Sequence, residues 1–201
     1  MSLFILIICT VFFLVLPMLY TKKRYNFWQE TKKYIYAGLL LLTVLVAVTI
    51  LIFCRVGLYK TLLLMAFSGI MYSVALIDFK TKTIDSWLML SLLLVAMLSL
   101  ISPDWVGSLF KIGTSIIVFG MMFLISKISK GVGFGDVQLF ALVALLLDFD
   151  MFFATIFYGL IISLISGVIL MKKSKSNMKY ELPFAPFIEI GFILAMIVQA
   201  V

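Results

Sequence analysis

Long apolar blocks, broken only by short polar loops, constrain this chain more than any other feature. They fall at approximately 3–20, 35–54, 59–78, 87–101, 106–126, 136–147, 151–171 and 186–201. Crossing a hydrocarbon core about 30 Å thick takes about 20 helical residues, and most of these blocks approach that length. In lipid the backbone must satisfy its own hydrogen bonds, which leaves helices or closed barrels. Continuous apolar runs, without strict alternation, select helices. The expected fold is therefore an all-α polytopic integral membrane protein of about eight transmembrane helices. Charged residues make up 12% of the chain, where a soluble domain carries about a quarter. No polar stretch is long enough to fold separately, so residues 1–201 read as one transmembrane domain. The first block, Leu3 to Leu19, lacks a basic segment before it and a small-residue cleavage site after it, and reads as a retained helix.

The basic residues orient these helices. All but Arg55, Lys60 and Lys111 of the 16 Lys and Arg residues lie in loops 21–34, 79–86, 127–135 and 172–183. Positive-inside bias puts those loops in the cytoplasm and both termini outside. The net charge of +7 then belongs to membrane topology, and no nucleic-acid partner is expected. Lys130 and Lys172 share a side, so the chain between them must turn back, at Asp148-Phe149-Asp150. The first arm of that hairpin, 136–147, gives only about 18 Å of helix. It is short or re-entrant. The glycine-rich approach to it must run at membrane depth, which is tolerated only beside protein or a watery cavity. A polar pocket open to the cytoplasm follows.

Histidine is absent, which removes Ser-His and Cys-His nucleophile pairs and His-ligated metals. The two cysteines, Cys9 and Cys54, sit in separate apolar blocks and form no Cys-x-x-Cys pair. No metal and no cofactor are expected. Ser126-Lys127 and Ser129-Lys130 are adjacent pairs, and neighbours on a helix do not face each other.

What remains is carboxylate chemistry. Gly131-Val132-Gly133-Phe134-Gly135-Asp136 places an acid at the start of the sixth block, and Asp78 ends the third. Ionisable groups in such positions are costly and by default mark function. The charge count puts both aspartates on the cytoplasmic side. Peptide hydrolysis by an aspartyl pair needs one carboxylate to activate water and one protonated acid to hydrogen-bond the scissile carbonyl. Close juxtaposition produces that split, because two like charges cannot both ionise cheaply. Glycines without Cβ permit a sharp helix entry and close approach of a substrate backbone. Taken alone, Asp78 could instead pair with Lys80 or Lys82, and Asp136 could be a helix N-cap.

Three ordered motifs carry a resemblance: Asp78-Phe79-Lys80-Thr81-Lys82-Thr83-Ile84, Gly133-Phe134-Gly135-Asp136, and Leu182-Pro183-Phe184-Ala185-Pro186-Phe187. Together they resemble the type IV prepilin peptidases, bacterial membrane aspartyl proteases of the Gly-x-Gly-Asp type. The resemblance implies that Asp78 and Asp136 are catalytic. It also implies a bacterial plasma-membrane enzyme that cleaves the leaders of type IV prepilins or pseudopilins at the cytoplasmic face. Gly133, Phe134, Gly135, Pro183, Phe184, Pro186 and Glu189 are the expected site-shaping or substrate-binding residues.

The chain departs from the family's pattern at Asp85, often proline, and at Gln138, often lysine; neither touches the two carboxylates. Bifunctional members insert a cytoplasmic domain with two Cys-x-x-Cys pairs after the first span and also methylate the new N-terminus. Here that position is the short loop 21–34, without cysteine, so methyltransferase activity is expected to be absent. Glu189 either tunes the aspartates or is an interfacial acid, and Asp85, Glu181 and Glu30 either attract a basic leader or are ordinary surface charge. Asp104, Asp148 and Asp150 are expected to cap outer turns. A presenilin-like protease would carry Pro-Ala-Leu where this chain has Pro183-Phe184-Ala185-Pro186. The non-enzymatic alternative is a small transporter or a membrane assembly factor using paired acids.

Overall fold

A computed structural model describes residues 58–102, 104–129, 132–173 and 183–200. The expected spans at 3–20 and 35–54, and the loop 21–34, lie outside these residues. The described chain is helical throughout: α1 (Leu58–Thr81), α2 (Ser86–Ser99), α3 (Trp105–Ser129), α4 (Phe134–Leu146), α5 (Phe149–Lys173) and α6 (Ala185–Ala200). Each expected block from the third onward is a helix, with ends displaced by a few residues. Stretches within α1, α3 and α5 are long and apolar enough to cross a membrane, whereas α2, α4 and α6 are shorter apolar helices.

The helix ends follow local chemistry. Asp85 caps α2 by accepting a hydrogen bond from the Trp87 amide at 3.1 Å. Asp104 does the same for α3, accepting from the Gly107 amide at 3.0 Å. These side chains satisfy amides that have no partner within their helix. The capping role expected for Asp104 holds, while Asp85 is a buried structural cap and not a charge displayed to solvent. Helix α1 continues one turn past Asp78. It stops where the Lys82 amide donates to the Asp78 carbonyl at 2.8 Å, with Lys82 at φ 53°. That left-handed residue is a common way to end a helix, although glycine is the usual choice.

Helix α1 is the hub. It is largely buried, whereas the apolar surface of α3 faces outward along its length and most of that of α5 does too. Such exposure suits lipid contact. The core joins α1, α2, α4 and α6, and the rings of Phe67 on α1 and Phe192 on α6 meet edge to face at 4.8 Å. Helices α5 and α6 form the most extensive pairing. A Cβ on Gly191 would lie 2.6 Å from the Gly159 amide nitrogen, so the two backbones approach as only small residues allow.

Besides its buried apolar side chains, helix α4 is held by hydrogen bonds to its carbonyls. Ser115 on α3 donates to the Ala141 carbonyl at 2.8 Å, Ser99 on α2 to Leu145 at 3.5 Å, and Lys111 on α3 to Leu146 at 3.2 Å. Beyond the helix, Asp148 pairs with Lys111 at 3.1 Å and also with Lys60 on α1. The sequence reading made Asp148 a turn cap. Its backbone carbonyl does accept from the Phe152 amide at 2.8 Å, and its side chain closes a three-residue clamp.

Burial disfavours the Asp148 carboxylate, but hydrogen bonds from Lys60 and Lys111 outweigh it and hold the carboxyl below its ordinary range. Its stabilising contribution is therefore full above the unfolded-state value, about 3.9, and is lost as pH falls through the lower folded value. Asp148→Asn is expected to cost about 1 kcal/mol near neutrality and to converge with the unaltered chain at acid pH. Thermal unfolding in detergent across a pH series checks this.

Candidate active site

Asp78 sits one turn from the end of α1, and its side chain is buried. Its Oδ2 accepts a hydrogen bond from the Ala185 amide at 3.1 Å, across 107 residues of sequence. Ala185 opens α6, so Asp78 supplies the acceptor that the start of this helix lacks. A carboxylate there also faces the positive end of the helix dipole. The local sequence explains why the start needs an external acceptor. Pro183 lies just outside the helix and Pro186 in its first turn, where a missing N–H costs nothing. The next amides are satisfied locally, Phe187 and Ile188 donating to the Phe184 carbonyl at 3.1 and 3.2 Å.

Asp136 lies in the first turn of α4 and is partly accessible. The N-cap is Gly133, not Asp136. The Gly133 amide donates to Asp136 Oδ2 at 3.2 Å, which folds the carboxylate back over the helix entrance. The two carboxylates, from α1 and α4, lie within electrostatic range of each other. They are the pair that the sequence singled out. With one buried and one accessible from the end of α4, a water or a peptide can reach the pair from that end.

The glycines at the start of α4 are closely surrounded by the chain itself. Gly133 has φ −68° and ψ 151°, an extended conformation open to any residue. Proximity is what matters. A Cβ on Gly135 would lie 3.2 Å from Ile84 Cδ1 and 3.3 Å from Ile84 Cβ, and one on Gly133 would lie 3.3 Å from Asp136 Oδ2. The approach to Gly133 is pinned by Ser126, whose hydroxyl donates to the Val132 carbonyl at 2.7 Å. Lys127 lies over the Phe123 ring, 5.5 Å from its centroid. Ser126 and Lys127 thus have separate structural roles.

Phe134 is exposed and meets Phe119 edge to face, with centroids 6.4 Å apart. Phe184 packs on Phe140 at 6.1 Å, linking the Pro183–Pro186 segment to α4. Glu189 is buried, 3% exposed, and accepts from Ser68 on α1 at 2.8 Å. Ser68 precedes Asp78 by ten residues on α1, about 15 Å of helix rise. Glu189 therefore ties α6 to α1 deeper in the bundle, held by a serine and buried, unlike the interfacial acid that one reading of the sequence expected. Among the described residues no cluster of His, Cys, Asp and Glu could hold a metal.

Comparison with known proteins fits this arrangement. The model of the type IV leader peptidase family matches residues 64–170, a range that contains Asp78, Ile84 and Gly133–Asp136. The prepilin leader peptidase/N-methyltransferase of Bacillus subtilis (strain 168) is 29% identical over 132 residues, covering 64% of this chain and 52% of the relative. The chain thus spans about half the length of the curated relative it matches. No solved structure matches. Because the family match covers more than half of the chain and runs through both aspartates that the fold brings together, the chain belongs to the type IV leader peptidase family.

Proposed function

We propose that this chain is a membrane aspartic endopeptidase that removes the leaders of type IV prepilins or pseudopilins, with Asp78 and Asp136 as its catalytic pair. The observation that carries this reading is that Asp78, near the end of α1, and Asp136, in the first turn of α4, lie at the same end of the bundle and within electrostatic range of each other. In the proposed reaction one carboxylate takes a proton from water as the water oxygen bonds to the scissile carbonyl carbon. The other, protonated, gives its proton to the carbonyl oxygen, and a tetrahedral diol forms. One diol hydroxyl then returns its proton to a carboxylate while the amide nitrogen takes a proton from the pair and the C–N bond breaks. A carboxylic acid and an amine leave, and the pair again shares one proton. The two acids titrate as a unit, so base and acid roles belong to the pair.

The active end faces the cytoplasm in this reading. Lys80 and Lys82 follow Asp78, and Lys127 ends α3 beside the Gly-x-Gly-Asp segment, the distribution that positive-inside bias selects. The full proposal is about eight spans with both termini outside, in a bacterial plasma membrane. The loop 21–34 carries no cysteine, and the chain is proposed to leave the new terminus unmethylated. A proton-transporter reading calls for acids available toward both faces. At the opposite end Asp148 is paired with Lys60 and Lys111, whereas the buried Asp78 and partly buried Asp136 share one end, the arrangement a peptidase uses.

Asp78→Asn and Asp136→Asn keep an acceptor for the Ala185 and Gly133 amides, so both variants are expected to fold. Each is expected to lower leader removal about a thousandfold, measured by mass spectrometry of a co-expressed prepilin at matched membrane abundance. Leader removal by both variants would sink the catalytic pair. Gly135→Ala pushes on Ile84 and is expected to reduce kcat roughly tenfold. Adding Ile84→Ala relieves the contact with the outer side-chain atoms and should recover part of that loss in the same assay.

A further inference from the structure

Glu189 is a buried acid that the proposed reaction does not use. One of its oxygens accepts from Ser68, and the other has no hydrogen-bond partner among the described residues. Burying a carboxyl group with so few partners costs free energy. Its place in the fold says what that cost sustains.

Glu189 follows Ala185 by four residues on α6, and residues so spaced lie on one face of a helix. Phe192 and Met196 continue that face, and all four are buried. At its first three positions the face meets α1: Ala185 donates to Asp78, Glu189 accepts from Ser68, and Phe192 packs on Phe67. The Ala185 amide reaches Asp78 only while α6 keeps its rotation and its slide along α1. A helix advances 1.5 Å and turns about 100° per residue, so a shift of one residue carries this amide off Asp78. Apolar packing is non-directional, whereas a hydrogen bond weakens steeply with angle and distance. The Ser68–Glu189 bond, at 2.8 Å with both side chains buried, is the directional contact one turn along α6 from that amide.

We propose that Glu189 is a positioning residue of the catalytic pair. Through Ser68 it sets α6 on α1, so that the Ala185 amide holds the Asp78 carboxylate in place. The proposal rests on the peptidase reading and adds a group that touches neither the attacking water nor the substrate. What the position requires is an acceptor at the reach of a glutamate side chain; the charge has no part. Two variants separate these requirements. Glu189→Gln keeps the reach and the acceptor without the charge, and Glu189→Asp keeps the charge but is shorter by one methylene.

The test uses the full chain in nanodiscs, with kcat per folded enzyme and KM measured on a precursor that has a basic leader and an apolar helix. Glu189→Asp and Ser68→Ala are each expected to lower kcat roughly tenfold, with KM kept within about twofold. Glu189→Gln is expected to stay within about twofold of the unaltered chain in both. Combining Ser68→Ala with Glu189→Asp should lose no more than either alone, because the same hydrogen bond is removed. Met196→Ala opens the same face of α6 farther from Asp78. It is expected to lower the unfolding temperature and to leave kcat within about twofold. A tenfold loss in Glu189→Gln, or full kcat in Glu189→Asp and Ser68→Ala, would overturn the positioning role and leave the peptidase reading standing. So would an equal fall of kcat in Met196→Ala, since loosening of the bundle would then account for the loss. Absence of cleavage by the unaltered chain would overturn both.

Discussion

The hydrogen bonding around α4 depends on that helix being shorter than a membrane crossing. At 13 residues, α4 rises about 20 Å against a hydrocarbon core of about 30 Å. Unpaired backbone groups in lipid cost several kcal/mol each, so both ends of α4 must be satisfied by protein. Helix α3 runs antiparallel beside it and supplies donors along its length, from Ser126 at Val132 through Ser115 at Ala141 to Lys111 at Leu146. Asp136 satisfies the Gly133 amide from within α4 itself. One carboxylate therefore serves the helix entrance and faces Asp78 as well.

Asp78 has a parallel double role. It is the acceptor for the first amide of α6, so the start of that helix and the orientation of the carboxylate determine each other. Ser68 and Glu189 join the same two helices further in. Among the described residues the second Glu189 oxygen has no hydrogen-bond partner, an uncommon condition for a buried group. Thr155 Oγ1, in the α5–α6 contact region, is in the same condition. Glu189 lies one turn into α6, beyond the Ala185 amide that bonds Asp78, and Thr155 lies on α5.

Much of this was legible in the sequence. Hydropathy alone located the six described helices, and the charge count put Asp78 and Asp136 at the same end before any packing was known. What could not be read was which groups meet. The acceptor role of Asp78 toward Ala185 spans 107 residues and depends on the crossing of α1 and α6, which carries no local signal. Ser126, Ser115 and Lys111 look like ordinary members of an apolar helix until α4 is set beside them. Asp85 was readable in principle, since an acid before an apolar run is an N-cap signature. The contact that a Cβ on Gly135 would make with Ile84 was not anticipated. Torsion can be guessed from a glycine, but the approach of Ile84 is a fact of tertiary structure.

The Lys60–Asp148–Lys111 clamp lies at the opposite end of α4 from Asp136. It ties the last residues of that arm to α1 and α3, the two helices that flank the short one. The depth of Asp136 is thus referenced to the far surface of the bundle, as a plumb bob is referenced to its point of suspension. Hydrocarbon thickness differs by a few Å between membranes, and helices with free ends answer by tilting. An arm suspended in this way keeps its place against its neighbours, and the variation falls on the open end beneath the aspartates. There a thicker or thinner leaflet changes how far water must travel to reach the pair, while the spacing of the pair stays the same.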